Sequence, residues 1–407
     1  MQDTSPALRQ RWQVLSAAPH RLFFATGLSS LLLHSGWWTA MLAARAAGIG
    51  GLEPVRPAMI AHGATMLYLI FAPFMFGFLL TVFPRWMPAP QVSRGWILAA
   101  FAFFNIGNLA VLAGLWSSPS LLATGWLMAA SAFAILLGSL LASLLRAANR
   151  AVHAITVVAG LAAGLLGMLL VARGLLNGDF SAWPLARGAG LWGFLLVVYF
   201  SVCHRMVPFF SSRVVPGYRS WRPDWVLYLF VALAIARAGL ETVPRWGWLA
   251  TIPMAALGVT CALRWRPADY RGVRLLQVLH IAIAWLALGL VLAAAADLAA
   301  FVGQAGILGR APLHAITMGF LGGMLMAMVT RVTLGHSGRE LAMDELNWRL
   351  FLAVQGAAIV RLAAEFVATA APWLSLAAAA LWLGAFLCWA ARHLPIYLRP
   401  RADGAPG

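Results

Sequence analysis

Twelve separate runs of about 20 mostly apolar residues divide this chain, each long enough to cross a bilayer core as an α-helix. They lie at about 22–44, 57–83, 96–116, 121–145, 153–175, 185–208, 224–241, 246–263, 273–296, 311–333, 348–368 and 372–391. A soluble fold of 407 residues could not hide them. Of all residues 62% are hydrophobic and 10% charged, against roughly 45–50% and 25% in ordinary globular chains. The expectation is an all-α, polytopic membrane protein of about 12 transmembrane helices. The first run is too long for the apolar stretch of a signal peptide and carries His34, Trp37 and Trp38, so it reads as a span. No connection exceeds about twenty residues, so residues 1–407 form a single integral-membrane domain, with tails at 1–21 and 392–407 around a bundle at 22–391. Trp86, Trp96, Trp116, Trp183, Trp221, Trp246, Trp265 and Trp348 fall near span ends, where an amphipathic ring suits the interface.

The net charge of +17 comes from 29 basic residues, all of them arginine. Without lysine there is no Schiff base to an aldehyde cofactor and no Walker-type phosphate lysine. Counted by side, 20 arginines fall on the side holding both termini and 7 on the other, with Arg349 and Arg361 inside the eleventh run. That asymmetry predicts cytoplasmic termini in a multi-pass protein of the cell membrane. It also argues against nucleic acid as a partner, which would need the basic residues gathered on one soluble face. Cys203, Cys261 and Cys388 give neither a disulfide framework nor a CxxC metal site.

Ionisable residues within apolar runs are costly and are candidates for function. Carboxylates are scarce there: Asp297 and Glu365 sit near span ends and Glu241 at a short loop, which speaks against a pump built on buried acids. Histidine is enriched instead, with His34, His62, His204, His280, His314 and His336 in or close to the runs. Singly, each could be interhelical hydrogen-bonding glue. Together they point to imidazole ligation of haem iron or copper.

His62 and His314 lie about five and about three residues inside the Arg-poor ends of their runs, so at ~1.5 Å per residue both sit within roughly 10 Å of that interface. Both open the same short pattern, His-x-x-Thr-Met, at His62–Met66 and His314–Met318. Two such histidines could clamp a haem through both axial positions. Arg56 and Arg310 precede them by six and four residues and could hold its propionates, or could simply snorkel to the interface. The Met66 and Met318 stripes read as packing. A second set lies toward the opposite side: His204 with Arg205, His280, and His336 with Arg331 and Arg339. His34, near mid-membrane, could serve either set, and His20, His153 and His393 at helix ends read as solvated or interfacial. Gly160, Gly164 and Gly167, and Gly319, Gly322 and Gly323, form small-residue faces for close helix packing, while Pro73 and Pro208 predict kinks.

The run from His314 through Gly319, Gly322, Gly323 and Met324 to Thr330-Arg331-Val332-Thr333-Leu334-Gly335-His336-Ser337-Gly338-Arg339 closely resembles the signature of the NnrS family. These are bacterial inner-membrane proteins associated with haem, copper and the response to nitric oxide. Gly77–Thr81 with Pro84 and Trp86, Arg205–Ser211, Leu279-His280 with Trp285 and Gly289, and Arg21–Phe24 agree with it. The resemblance implies a role for His62, His280, His314, Arg331, His336 and Arg339, and a haem, with or without copper, that meets nitric oxide. His62 and His314 would be the axial haem ligands, and His280 and His336, with His204, a second inner site. One departure stands out: where the family has His-x-His-Glu-Met, this chain has Ala64 and Thr65 in place of the second His and the Glu. A copper site or proton transfer needing those groups is in doubt here, and His34 and His204 could compensate. Histidines on the second and tenth runs also resemble the way haem–copper oxidases hold a low-spin haem, as an architectural analogy only. The seventh run carries no histidine, so an oxidase-type copper centre on that helix is absent. Nothing in the sequence separates binding of nitric oxide from its turnover. The rival reading is a haem-free transporter or channel, with kinked helices, buried histidines and a basic inner mouth; a haem-free assembly or sensor subunit is a weaker third.

Overall fold

The computed structural model describes residues 5–50, 53–267 and 270–404. The extreme ends of the two expected tails, residues 1–4 and 405–407, lie outside them. The described chain is all helical. After a short α1 (Ser5–Leu15) come α2 (Pro19–Ala46), α3 (Ala58–Trp86), α4 (Arg94–Ser117), α5 (Pro119–Arg146), α6 (Val152–Asn177) and α7 (Trp183–Val214). These are followed by α8 (Asp224–Leu240), α9 (Trp248–Trp265), α10 (Arg274–Phe301), α11 (Ala311–His336), α12 (Glu345–Ala363) and α13 (Ala371–Tyr397). Among the described residues, nine of these segments are long and apolar enough to cross a membrane, α3–α7, α9–α11 and the segment ending in α13, which makes this a multi-pass membrane protein. The other three expected runs, 22–44, 224–241 and 348–368, are also helical, as α2, α8 and α12. They are less apolar or shorter: α2 carries Ser29, Ser30, His34 and Ser35, α8 has 17 residues, and α12 holds Glu345, Arg349, Gln355 and Arg361. Some helices outrun their apolar stretches: α7 reaches Val214, where the exposed Arg213 can hold its guanidinium group in water, and α11 reaches His336.

Helix ends follow local chemistry. Ser118 caps α5, its hydroxyl accepting from the Leu121 amide at 3.1 Å ahead of Pro119, which needs no N–H partner. The Asp344 carboxylate does the same for α12 through the Asn347 amide at 2.8 Å. Gly178 ends α6 at φ +71°, in the left-handed region that favours glycine.

Three helices form the centre. In α3, α7 and α11 the most apolar windows are 78, 89 and 72% buried, against 33–56% for the other six. Each of the three contains a widened π-helical stretch, at Met66–Ile70, Ala189–Leu196 and Ala315–Gly322. The threonines of the shared His-x-x-Thr-Met pattern, Thr65 just before the first stretch and Thr317 inside the third, turn their hydroxyls back onto the carbonyls of Ala61 and Leu313 at 2.9 Å. The kink expected at Pro73 falls just after the first stretch, within a helix that continues. The carbonyl of Leu69, which Pro73 cannot serve, accepts from the Ser30 hydroxyl of α2 at 2.8 Å. The peripheral helices pack in sequence around this centre.

The glycine faces pack as expected, but against aromatic side chains more than backbone. A Cβ at Gly190 would sit 2.7 Å from the Tyr68 ring and one at Gly164 2.8 Å from Phe194, and Gly167 leaves room for the Tyr68 hydroxyl. That hydroxyl donates to the Ala186 carbonyl at 2.5 Å, answering a backbone group beside the second π stretch. Backbone-to-backbone approach occurs instead between α4 and α5, where a Cβ at Gly125 would lie 2.5 Å from the Val111 nitrogen. Replacing Gly125 by Val should therefore lower stability by about 1–3 kcal/mol through overpacking. Gly138→Val on the same helix meets open space and should stay within about 0.5 kcal/mol of wild type; thermal unfolding in detergent compares the two.

Candidate functional site

A cavity of about 310 Å³ opens among α2, α3, α7, α11, α12 and α13, on the Arg-poor side, and both His62 and His314 line it. The central position of α3 and α11 brings them to one space although 252 residues separate them in the chain. The His62 ring stacks on Trp38 of α2, with centroids 3.9 Å apart and planes 15° from parallel, and its Nδ1 is buried without a hydrogen-bond partner. Gly63 beside it gives room to Trp183, whose ring a Cβ there would approach to 2.8 Å. His314 Nδ1 lies 3.0 Å from the Arg310 carbonyl. A carbonyl only accepts, so Nδ1 carries the hydrogen and Nε2 keeps its lone pair, the tautomer a metal-ligating imidazole requires. Met66 and Met318 also face the cavity. Ala64 and Thr65 are each 2% exposed and line none of it.

Four arginines reach the cavity: Arg45, Arg187, Arg310 and Arg361. Arg45 pairs with Glu53 at 2.9 Å and Arg361 with Glu365 at 2.6 Å, while Arg187 pairs with Glu241. The Arg310 guanidinium forms no ion pair among the described residues, its Nη1 lying 3.7 Å from the Met59 sulfur, while its backbone N–H donates to the Glu365 carboxylate. Arg56, expected near the interface above His62, does not line the cavity. Its Nη2 donates to the Leu175 carbonyl at 2.8 Å, at the C-terminal end of α6, where a cation meets the negative end of the helix dipole.

Behind Arg187 lies a buried ion network. Glu241 Oε1 accepts from Trp192 Nε1 at 3.0 Å and from Arg237 Nη1 at 2.8 Å. Arg237 holds Asp297 in a two-pronged pair at 2.9 and 3.0 Å, and the Thr251 hydroxyl adds a bond to Asp297 at 3.0 Å. Two cations and two carboxylates thus balance inside the bundle and set the Arg187 head at the cavity wall. Sequence reasoning missed Arg45, Arg187, Arg361, Trp38 and Trp183. A signal existed for part of this: Arg237–Glu241 and Arg361–Glu365 are i,i+4 pairs inside or beside apolar runs.

The inner histidines do not converge. His204 pairs with His153, their Nδ1 and Nε2 3.0 Å apart, and its Nε2 donates to the Pro223 carbonyl at 3.2 Å. This pair adjoins a cleft of about 670 Å³ lined by His153, Arg205, Arg222 and Asp224. His336 lies beside His20, ring centroids 4.7 Å apart. His280 bonds to the Ser211 hydroxyl at 3.3 Å and packs on Tyr270. The Arg331 guanidinium stacks on Phe210 at 4.0 Å, so it and His280 meet the same turn of α7, and one nitrogen each of Arg331 and Arg339 is buried without a partner. His34 is fully buried and bonds to Asn108 Oδ1 at 2.7 Å, away from both sets. Among the described residues no group of three or more His, Cys, Asp or Glu is arranged to hold a metal ion.

The family model described as NnrS protein matches residues 14–401. No curated protein matches the chain.

The network behind Arg187 sets a measurable stability difference. Removing Asp297 as Asp297→Ala leaves Arg237 half paired in a buried setting and should cost about 3–5 kcal/mol. Arg45→Ala breaks a pair whose side chains are 40 and 62% exposed and should cost under about 1 kcal/mol. Thermal unfolding of the two variants in detergent reads the contrast.

Proposed function

The chain belongs to the NnrS family, and on that premise we propose that it is an inner-membrane haem protein of the response to nitric oxide, with haem held between His62 and His314. The observation that carries this reading is the convergence of these two histidines, from two central helices, on one cavity at similar depth. The residues present fit the group. His314 offers Nε2 because the Arg310 carbonyl takes its Nδ1–H, and His62 has an unpartnered buried nitrogen in a ring held by Trp38. The cavity volume of about 310 Å³ is at the lower end of the ~300–1,000 Å³ usual for cofactor sites. Arg310, whose guanidinium forms no ion pair among the described residues, is the cation best placed for a propionate, with Arg187 and Arg361 on the same wall.

Bound haem would supply an iron centre with which nitric oxide can combine. The chain's own part is to present the imidazoles, stack and orient His62, keep bulk water out with Trp38, Trp183 and Trp382, and neutralise the acidic edge of the group. Copper has weaker support, because Ala64 and Thr65 provide no ligand and the inner histidines stand in separate settings. His280, His336, Arg331 and Arg339 are then candidates for a second anion- or cofactor-binding region on the inner side, with unpaired guanidinium nitrogens as its support. In this reading α2, α8 and α12 complete twelve spans, both termini face the cytoplasm, and nitric oxide is the small-molecule partner.

Optical spectra of the detergent-purified protein test the proposal. Wild type should show a Soret band and a redox-sensitive α band that shift with nitric oxide. His62→Ala or His314→Ala should each lower haem content at least about tenfold. Arg310→Gln should weaken retention, whereas Arg56→Gln, whose charge serves the end of α6, should leave it unchanged. A colourless, well-folded wild type would sink the haem reading and favour the haem-free transporter.

A further inference from the structure

A second, smaller void of about 50 Å³ lies inward of the histidine cavity, between α2, α3, α7 and α11. It is lined by residues such as Phe74, Cys203, Leu325 and Met328, and its lining is buried apart from the half-buried Val202. Phe71 belongs to the outer cavity and Phe74 to the void, so along α3 the two are separated by about one helical turn, ~5 Å. Between them stands Tyr199, packed edge-on against Phe71 and Phe320 with centroids 6.1 and 5.9 Å away. This aromatic layer is the partition between the two spaces.

The chemistry of the lining selects the occupant. A void of this size exceeds the ~30 Å³ that a water molecule takes in the liquid, but water also needs two to four polar partners, and this wall is almost wholly apolar. A charged or strongly hydrogen-bonding solute is excluded for the same reason. A small uncharged diatomic loses almost nothing on leaving water and gains dispersion contacts with the polarizable sulfur and ring atoms of the wall. We infer that this void is a docking site for one small apolar diatomic gas, of the nitric oxide class, held one aromatic layer inward of the His62–His314 cavity. The capacity for gas rests on the void itself, while the identity of the gas rests on the function proposed above. Such a site would raise the local concentration of gas beside the cavity and return it after dissociation, with Phe71 and Tyr199 governing the exchange.

Xenon, a probe of similar size and polarity, gives the test. Crystals of the full chain pressurised with xenon should show it in the void. The site should be lost in Val202→Phe and in Leu325→Phe, which fill it from α7 and α11, and reduced in the milder Val202→Ile. In haem-loaded protein the same variants should keep the Soret band of wild type. The delayed geminate phase of nitric oxide recombination after photolysis, which comes from gas returning through the aromatic layer, should then fall at least about twofold in amplitude. Absence of xenon from the void in wild type, or ordered water in its place, would overturn the proposal. So would loss of xenon in the filled variants with recombination unchanged. Xenon occupancy does not depend on haem, so a colourless protein that binds xenon would overturn only the haem reading.

Discussion

Inside a bilayer a backbone carbonyl or amide has no water to turn to, so every interruption of a helix must be answered by protein. The architecture follows from that constraint. The three helices with widened turns, α3, α7 and α11, are the three most buried, and the groups their irregularities release are met by neighbours. Ser30 serves the Leu69 carbonyl beside Pro73, and Tyr68 serves the Ala186 carbonyl. Thr65 and Thr317 turn back onto their own helices beside and within the wide turns. The same widening leaves space between the helices at the centre, and the histidine cavity opens there.

Charge obeys a related rule. A guanidinium at the edge of the hydrocarbon is tolerable when paired, and three of the four cavity arginines have a carboxylate partner. The Arg237–Asp297–Glu241 network is poor evidence for stability as such, since apolar side chains of similar volume could replace it. Its use is positional: it fixes Arg187 at the wall of the cavity that His62 and His314 also line. Arg310 differs from its neighbours in that its guanidinium forms no ion pair among the described residues.

Much of the plan was legible from residue types. Apolar runs and their flanking arginines predict where helices lie, because hydrocarbon thickness sets a minimum length and guanidinium groups seek water. Counting from the run ends places His62 and His314 at one depth, which is why that pair was foreseeable. The same counting grouped His204, His280 and His336, and they turn out to face His153, Ser211 and His20 respectively. Depth is a coordinate along the membrane normal; the direction a side chain takes around its helix depends on which neighbours pack against it. Arg56 shows the same limit, since its depth suited a propionate but its direction led to the end of α6.

The sequence by itself determined the solvent, the helical class, the approximate helix positions and the depth of each ionisable group, because these depend on transfer free energies of consecutive residues. It also carried the repeated His-x-x-Thr-Met pattern. Only the tertiary structure decided which helices stand at the centre, which histidines share a space, and which arginines face it. Those are questions of azimuth and of contact across more than a hundred residues, settled by how Gly63 and Gly190 admit the rings of Trp183 and Tyr68 and by where buried charges find partners. No periodicity along one helix encodes the identity of the helix opposite.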